Sequence, residues 1–284
     1  MIGVFDSGHG GLTVLGALMA RLPERAFLYL GDHGHAPYGE RSPAEIIELT
    51  VANVERLFAE GCRLVLLACN TAAAIALRRL QQEWLPGAYP GRRVLGVFVP
   101  MVEAVTAVPW KLQEPPAGAR REPALVGVFA TRRTVESGAY AREIGLRAPT
   151  IRVVQQACPG LVALIETGAA PGLLEAVVAG HVAALMAKLD ERAPDSVILG
   201  CTHYPLVAEA FAAALPAGVP LHSQPALVAE SLADYLARHP EFDDPAPNPR
   251  KARQRTRFLT TGDPAAVAAL AKRFFGAAVR FQRI

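Results

Sequence analysis

Short apolar runs alternate along this chain with longer mixed segments that read as helices. The runs are Ile2–Phe5, Phe27–Leu30, Val65–Ala68, Arg93–Phe98, Ala124–Phe129, Ile151–Gln155, Val197–Gly200, Val219–His222 and Thr256–Thr260, with Val279–Phe281 as a candidate edge strand. Between them, helices are expected from Leu12, over Pro43 to about Glu60, Thr71–Trp84, Pro100–Val105, around Glu166, Leu173–Asp190, up to about Arg238, and over Pro264–Phe275. The start at Ser42-Pro43-Ala44-Glu45 is well specified: serine as N-cap, proline at the first helical position, glutamate at the third. Strands that alternate with helices make parallel sheets wound on both faces.

The pattern runs twice. Ile2-Gly3-Val4-Phe5 resembles Ala124-Leu125-Val126-Gly127-Val128-Phe129, and each opens the order strand, helix, strand, helix, strand. The third strand of each series ends in a cysteine, in Leu67-Ala68-Cys69-Asn70-Thr71 and in Leu199-Gly200-Cys201-Thr202-His203. The expected fold class is therefore α/β, with two similar doubly wound parallel-sheet domains facing each other across an active-site cleft. Two stretches, Pro109–Pro123 and His239–Gln254, are rich in proline and charge; the first is expected as an exposed excursion and the second as mobile.

Composition narrows the classes. The chain has 284 residues, 51% of them hydrophobic and 19% charged, with a formal net charge of +3. No basic block stands out, so nucleic acid gains little support as a partner. Met1 leads directly into Ile2–Phe5, and no run is expected to reach the ~18 apolar residues of a membrane span. A cytoplasmic protein with no membrane partner is the expectation. The four cysteines, Cys62, Cys69, Cys158 and Cys201, contain no C-x-x-C pair, so neither a disulfide framework nor a structural zinc site is supported. Cys62 and Cys158 read as packing residues.

The strand ends carry the candidate chemistry. Ile2–Phe5 runs into Asp6-Ser7-Gly8-His9-Gly10-Gly11, which matches no phosphate-binding signature, so a nucleotide cradle is improbable. Asp6 and Ser7 could simply cap the following helix, but polar tips recur after later strands, at Thr131 and Thr134 and beside both cysteines. The second strand leads to Asp32-His33-Gly34-His35-Ala36-Pro37-Tyr38-Gly39. His33 and His35 read as solvated loop histidines rather than metal ligands, while Tyr38-Gly39 offers a phenol and an open backbone N–H for a carboxylate.

Two thiols in equivalent places suit a task with mirror symmetry: removing a proton from one face of a carbon and returning one to the other. A thiol with a pKa near ~8.5 reaches both protonation states around neutrality. An α-proton of an amino acid is weakly acidic, so preorganised donors must stabilise the carbanionic charge. Pyridoxal phosphate would need a Schiff-base lysine, yet Lys111, Lys188, Lys251 and Lys272 avoid the strand tips. No cofactor and no metal are expected.

The motifs together resemble the glutamate racemases, cofactor-independent members of the aspartate/glutamate racemase superfamily. They are Phe5-Asp6-Ser7-Gly8, Pro37-Tyr38-Gly39-Glu40, Ala68-Cys69-Asn70-Thr71-Ala72, Thr134 to Tyr140, Gln156-Ala157-Cys158-Pro159, Leu199 to Leu206 and Thr261-Gly262-Asp263-Pro264. The resemblance implies that Cys69 and Cys201 are catalytic, with Asp6, Asp32, Glu166 and His203 as auxiliary groups. It places substrate contacts at Asp6, Ser7, Pro37, Tyr38, Gly39, Asn70, Thr71, Thr131, Thr134, Thr202 and His203. It also implies interconversion of L- and D-glutamate for peptidoglycan, and leaves a homodimer open. A racemase of aspartate or another amino acid is the enzymatic alternative, and a non-catalytic relative that interacts with DNA gyrase is the alternative of another class. Residues 1–97 plus 208–284 are expected as the domain of Cys69, and 98–207 as that of Cys201. The family often has Asp-Thr-Ala-Arg where this chain has Asp32-His33-Gly34-His35-Ala36.

Overall fold

In the computed structural model, residues 1–109, 123–246 and 248–284 are described; the interior of the expected 109–123 excursion lies outside them. The apolar runs form β1 (Ile2–Asp6), β2 (Phe27–Gly31), β3 (Leu64–Leu67), β4 (Arg93–Gly96), β5 (Ala124–Ala130), β6 (Ile151–Ala157), β7 (Ser196–Gly200), β8 (Leu221–His222), β9 (Arg257–Thr260) and β10 (Gln282–Arg283). They build two parallel sheets, in the orders β10-β9-β2-β1-β3-β4 and β6-β5-β7-β8. Every residue of β1, β2, β3, β5 and β7 is buried, as unbroken apolar runs require when helices cover both faces of a parallel sheet.

The chain divides into two compact units, Met1–Val97 with Pro225–Ile284, and Phe98–Gln224. The expected boundary after residue 207 is corrected by strand pairing. β8 pairs with β7, and the Ala208–Ala214 helix packs on the Pro171–Lys188 helix, so this stretch completes the second sheet.

Each sheet carries a switch point. The chain begins at β1, steps out to β2 on one side, and returns to β3 on the other; it repeats this at β5, β6 and β7. Connections leaving in opposite directions open a crevice at the carboxyl ends of the central strands, where doubly wound sheets bind ligands. Cys69 follows β3 and Cys201 follows β7, so each thiol stands at the switch point of its own sheet.

Local signals are obeyed at the Pro43–Ala59 helix, where Ser42 and Glu45 form a reciprocal capping box. The 239–254 segment corrects the expectation of mobility. Phe242 and Ala246 are buried, Arg25 pairs with Asp243, the amino terminus pairs with Asp244 at 3.3 Å, and Arg63 and Arg93 stack on Phe242. Asp243 and Asp244 tether it to the first unit. The expectation that no run approaches a membrane span also needs correction: the Pro171–Lys188 helix has 18 residues and a mean hydropathy of 1.2. Val178, Val182, Leu185 and Met186 give it a buried stripe, and it packs along β6 and the 208–214 helix as a domain helix does.

Candidate active site

The Cys69 cluster grows from the tip of β1. Asp6 is buried and its Oδ1 accepts the Gly8 N–H at 2.8 Å, which turns the chain back over the strand end. The Gly11–Arg21 helix starts against this carboxylate, since a Cβ on Gly11 would sit 2.5 Å from the Asp6 Cβ. Phe5 pairs with Leu67 across the sheet, and the register carries Ser7 to Cys69, with 3.3 Å between Oγ and Sγ.

Cys69 is also the N-cap of the Asn70–Arg79 helix, its sulfur accepting the Ala72 N–H at 3.4 Å. Burial, followed by the Asp6 charge, pushes this thiol up to about 11, while the Ser7 hydroxyl and the Ala72 N–H pull the other way. At neutral pH the thiol therefore rests protonated. The helix end and the hydroxyl are already aimed at the charge it would carry as a thiolate. Asn70 and Thr71, in the first turn, are buried beside it.

The Cys201 cluster, in the second unit, is built differently. The Cys201 Sγ lies 3.9 Å from His203 Nδ1, and His203 Nε2 lies 2.9 Å from Glu166 Oε1. Cys201 and His203 are each 5% exposed, whereas Glu166, near the end of the Leu161–Thr167 helix, is partly open to solvent. Thiol, imidazole and carboxylate thus form a short proton-handling series. Thr202 is buried in the same turn. Thr131, at the tip of β5, caps the Arg132–Glu136 helix through the Thr134 N–H, and the two hydroxyls stand 3.0 Å apart. Thr131 thus serves as a helix cap, and Thr134 is fully buried.

The loop after β2 belongs to the same unit as Cys69. The Tyr38 hydroxyl donates to Asp32 Oδ2 at 2.6 Å, and burial, with Asp32 next, drives the phenol far above its usual range. The phenol expected to grip a substrate carboxylate thus gives its proton to Asp32. Pro37 is exposed at the start of this turn. Asp32, expected beside the thiol as an auxiliary group, is placed as the anchor of the loop, since it also receives His35 Nδ1 at 2.8 Å and the Thr261 hydroxyl at 2.6 Å.

The two loop histidines are partly exposed, as expected of loop side chains, yet both have protein partners. His35 is held by Asp32, and His33 meets Gly31 O and Thr260 Oγ1 at 2.9 Å, its ring edge-on to His9 and Phe281. Among the described residues, no group of three or more His, Cys, Asp or Glu is disposed to hold a metal ion. Cys62 is buried, and burial lifts its thiol to about 11. Cys158 is likewise buried behind β6 and lifted to about 12.

The sequence model of the Asp/Glu/hydantoin racemase family matches residues 16–231. The chain belongs to the Asp/Glu/hydantoin racemase family. Within this family it is 51% identical to the glutamate racemase of Paracoccus denitrificans (strain Pd 1222), over 99% of this chain and 98% of the relative. Solved structures agree. The glutamate racemase of Francisella tularensis subsp. tularensis SCHU S4, crystallised in complex with D-glutamate, superposes with a TM-score of 0.82 at 27% identity, covering 100% of this chain and 96% of that one. That of Thermus thermophilus, in complex with beta-chloro-D-alanine, gives 0.79 at 34% identity, with coverage of 100% and 96%. For this racemase-family chain, sequence reasoning missed Thr261 and the buried Asn53 beside Tyr38. Asn53 carried no signal, being one polar residue inside a helix; Thr261 stood within a motif whose other members explain only a helix start.

Proposed function

We propose that this chain interconverts L- and D-glutamate without a cofactor, one cysteine removing the α-proton and the other returning a proton to the opposite face. The carrying observation is that each switch point holds one buried thiol with its own set of proton-handling partners: Ser7, Asp6 and a helix N-terminus for Cys69; His203 and Glu166 for Cys201.

A resting thiol near 11 is a poor base until its environment changes. A substrate ammonium group brings positive charge into a site that already holds Asp6, which favours the thiolate. On the other side, His203 can take the proton from Cys201 and share the resulting charge with Glu166, as a histidine–carboxylate pair does for a nucleophile. Buried Asn70, Thr71, Thr134 and Thr202 supply hydrogen-bonding groups for the two carboxylates. Among the described residues, Lys188 donates to Gln155 O at 2.9 Å, and Lys251 and Lys272 lie on the Pro249–Arg255 and Pro264–Phe275 helices; Lys111 lies outside the described residues.

The product, D-glutamate, would feed peptidoglycan synthesis in the cytoplasm. Purified protein incubated with L-glutamate should lose optical rotation to zero, and Cys69→Ser or Cys201→Ser should slow this by several orders of magnitude, because a hydroxyl is far too basic to ionise. Aspartate should be at least about a hundredfold poorer in kcat/KM, since its shorter chain leaves buried polar groups unpaired. Equal turnover of aspartate, or a Cys201→Ser variant at near-normal rate, would overturn the proposal.

A further inference from the structure

The Thr261-Gly262-Asp263-Pro264 motif has no part in the chemistry above. Half of it is explained locally: Asp263 caps the Pro264–Phe275 helix by accepting the Ala266 N–H at 2.8 Å. Thr261 does something else. It follows β9 and reaches a loop more than two hundred residues earlier in the chain. Its Oγ1 accepts the Gly34 N–H at 2.9 Å and donates its own proton to Asp32 Oδ1 at 2.6 Å. Its N–H donates to Gly31 O at 3.3 Å.

The two backbones touch through glycine on both sides. A Cβ on Gly34 would lie 3.0 Å from the Thr261 carbonyl oxygen, and one on Gly262 would lie 3.0 Å from the His33 Cβ. Asp32 then relays the contact, because its other carboxylate oxygen holds the Tyr38 hydroxyl at 2.6 Å. Thr261, Asp32 and Tyr38 are thus one hydrogen-bonded series, and Asp32 is fully buried within it. It ends at the Tyr38–Glu40 turn, which packs on the Asn70–Arg79 helix that Cys69 caps.

We infer that Thr261 is a positioning residue for substrate binding: it latches the 32–41 loop through Asp32, and so holds Tyr38-Gly39 in the conformation that meets glutamate. The inference rests on the racemase activity proposed above. Thr261 touches neither thiol. Its loss would therefore weaken the ground state and the transition state alike, raising KM and sparing kcat. Pre-organisation of a binding loop is what such a bond supplies.

The test compares wild type, Thr261→Val and Thr261→Ser in both directions of glutamate racemisation. Valine keeps the shape and removes both hydrogen bonds; serine keeps them. Loss of one charge-assisted bond, with His35 still on the same oxygen, should raise KM on the order of tenfold for both enantiomers and leave kcat within about twofold. Thr261→Ser should restore KM. Hydrogen exchange at the Gly34–Gly39 amides should quicken in Thr261→Val and not in Thr261→Ser, whatever the substrate. An inactive wild type would sink the racemase reading while the exchange data still judge the latch. Unchanged KM with unchanged exchange would overturn the latch, as would a fall in kcat alone that follows a lowered Tm and is not rescued by serine. If Thr261→Val does not fold, Tyr38→Phe cuts the series at its other end and must give the same rise in KM.

Discussion

Glu166→Gln is the sharpest single perturbation of the Cys201 cluster. The side chains are nearly isosteric, so His203 keeps a partner at about the same place while the carboxylate charge is removed. In the native site His203 Nε2 and Glu166 Oε1 are 2.9 Å apart, and the other ring nitrogen faces the Cys201 sulfur at 3.9 Å. A bond to a charged partner is worth roughly 1 kcal/mol more than its neutral counterpart, and the partial exposure of Glu166 argues for the low end. About 1–1.4 kcal/mol of lost stabilisation, when His203 carries the proton, corresponds to a five- to tenfold fall in kcat/KM.

Enantiomers have equal free energy in water, so kcat/KM must fall equally in both directions. The asymmetry should appear in isotope effects instead. With α-deuterated substrates, the effect should grow for the enantiomer deprotonated at Cys201, where proton removal has become slower. It should shrink for the other, where reprotonation at Cys201 now limits the rate. Polarimetry with both deuterated enantiomers provides the assay. An unchanged kcat/KM, or isotope effects that move together, would refute the assignment of His203 and Glu166 to Cys201.

Two further outcomes concern stability. Burial raises Cys62 and Cys69 to about 11 and Cys158 to about 12, against a free thiol near ~8.5. Above that value the unfolded chain releases protons that the folded chain retains, so this contribution is complete below pH ~8.5 and is lost as pH climbs towards 11. Urea unfolding between about pH 8.5 and 10 should show falling stability, and Cys62→Ala should make that slope shallower while racemisation continues; an identical slope would contradict the burial argument. Ser42→Ala removes the capping box of the Pro43–Ala59 helix and should cost about 1 kcal/mol in urea unfolding with racemisation rates unchanged.

What the sequence made legible follows from where the information sits. Strand tips are local: an apolar run ending in Asp6-Ser7, Cys69-Asn70-Thr71 or Cys201-Thr202-His203 announces both the strand and its chemistry, and the parallel sheets place those tips at the switch points. The Ser42 start was readable for the same reason. The part of Asp32 was not, because it depends on Thr261, a partner distant in sequence, and on a phenol that could equally have faced a ligand. The 239–254 segment misled because composition does not reveal that Arg25, Arg63 and Arg93 wait for it on other elements. β8, at two residues, is too short to announce which sheet it joins. The helix expected over Thr71–Trp84 is α-helical only to Arg79 and then widens into a π turn at Leu80–Trp84, a change of winding that leaves the apolar pattern intact.

The two-thiol mechanism is tested most directly by racemisation of L-glutamate in D2O, stopped early and read by mass or NMR at the α-position of each enantiomer. Proton removal by one cysteine and delivery by another, solvent-exchanged thiol predicts D-glutamate that carries α-deuterium while the remaining L-glutamate stays protiated. Early D-glutamate that retains the original hydrogen, or deuterium appearing in L-glutamate as fast as D-glutamate forms, would mean a single base serving both faces and would contradict it.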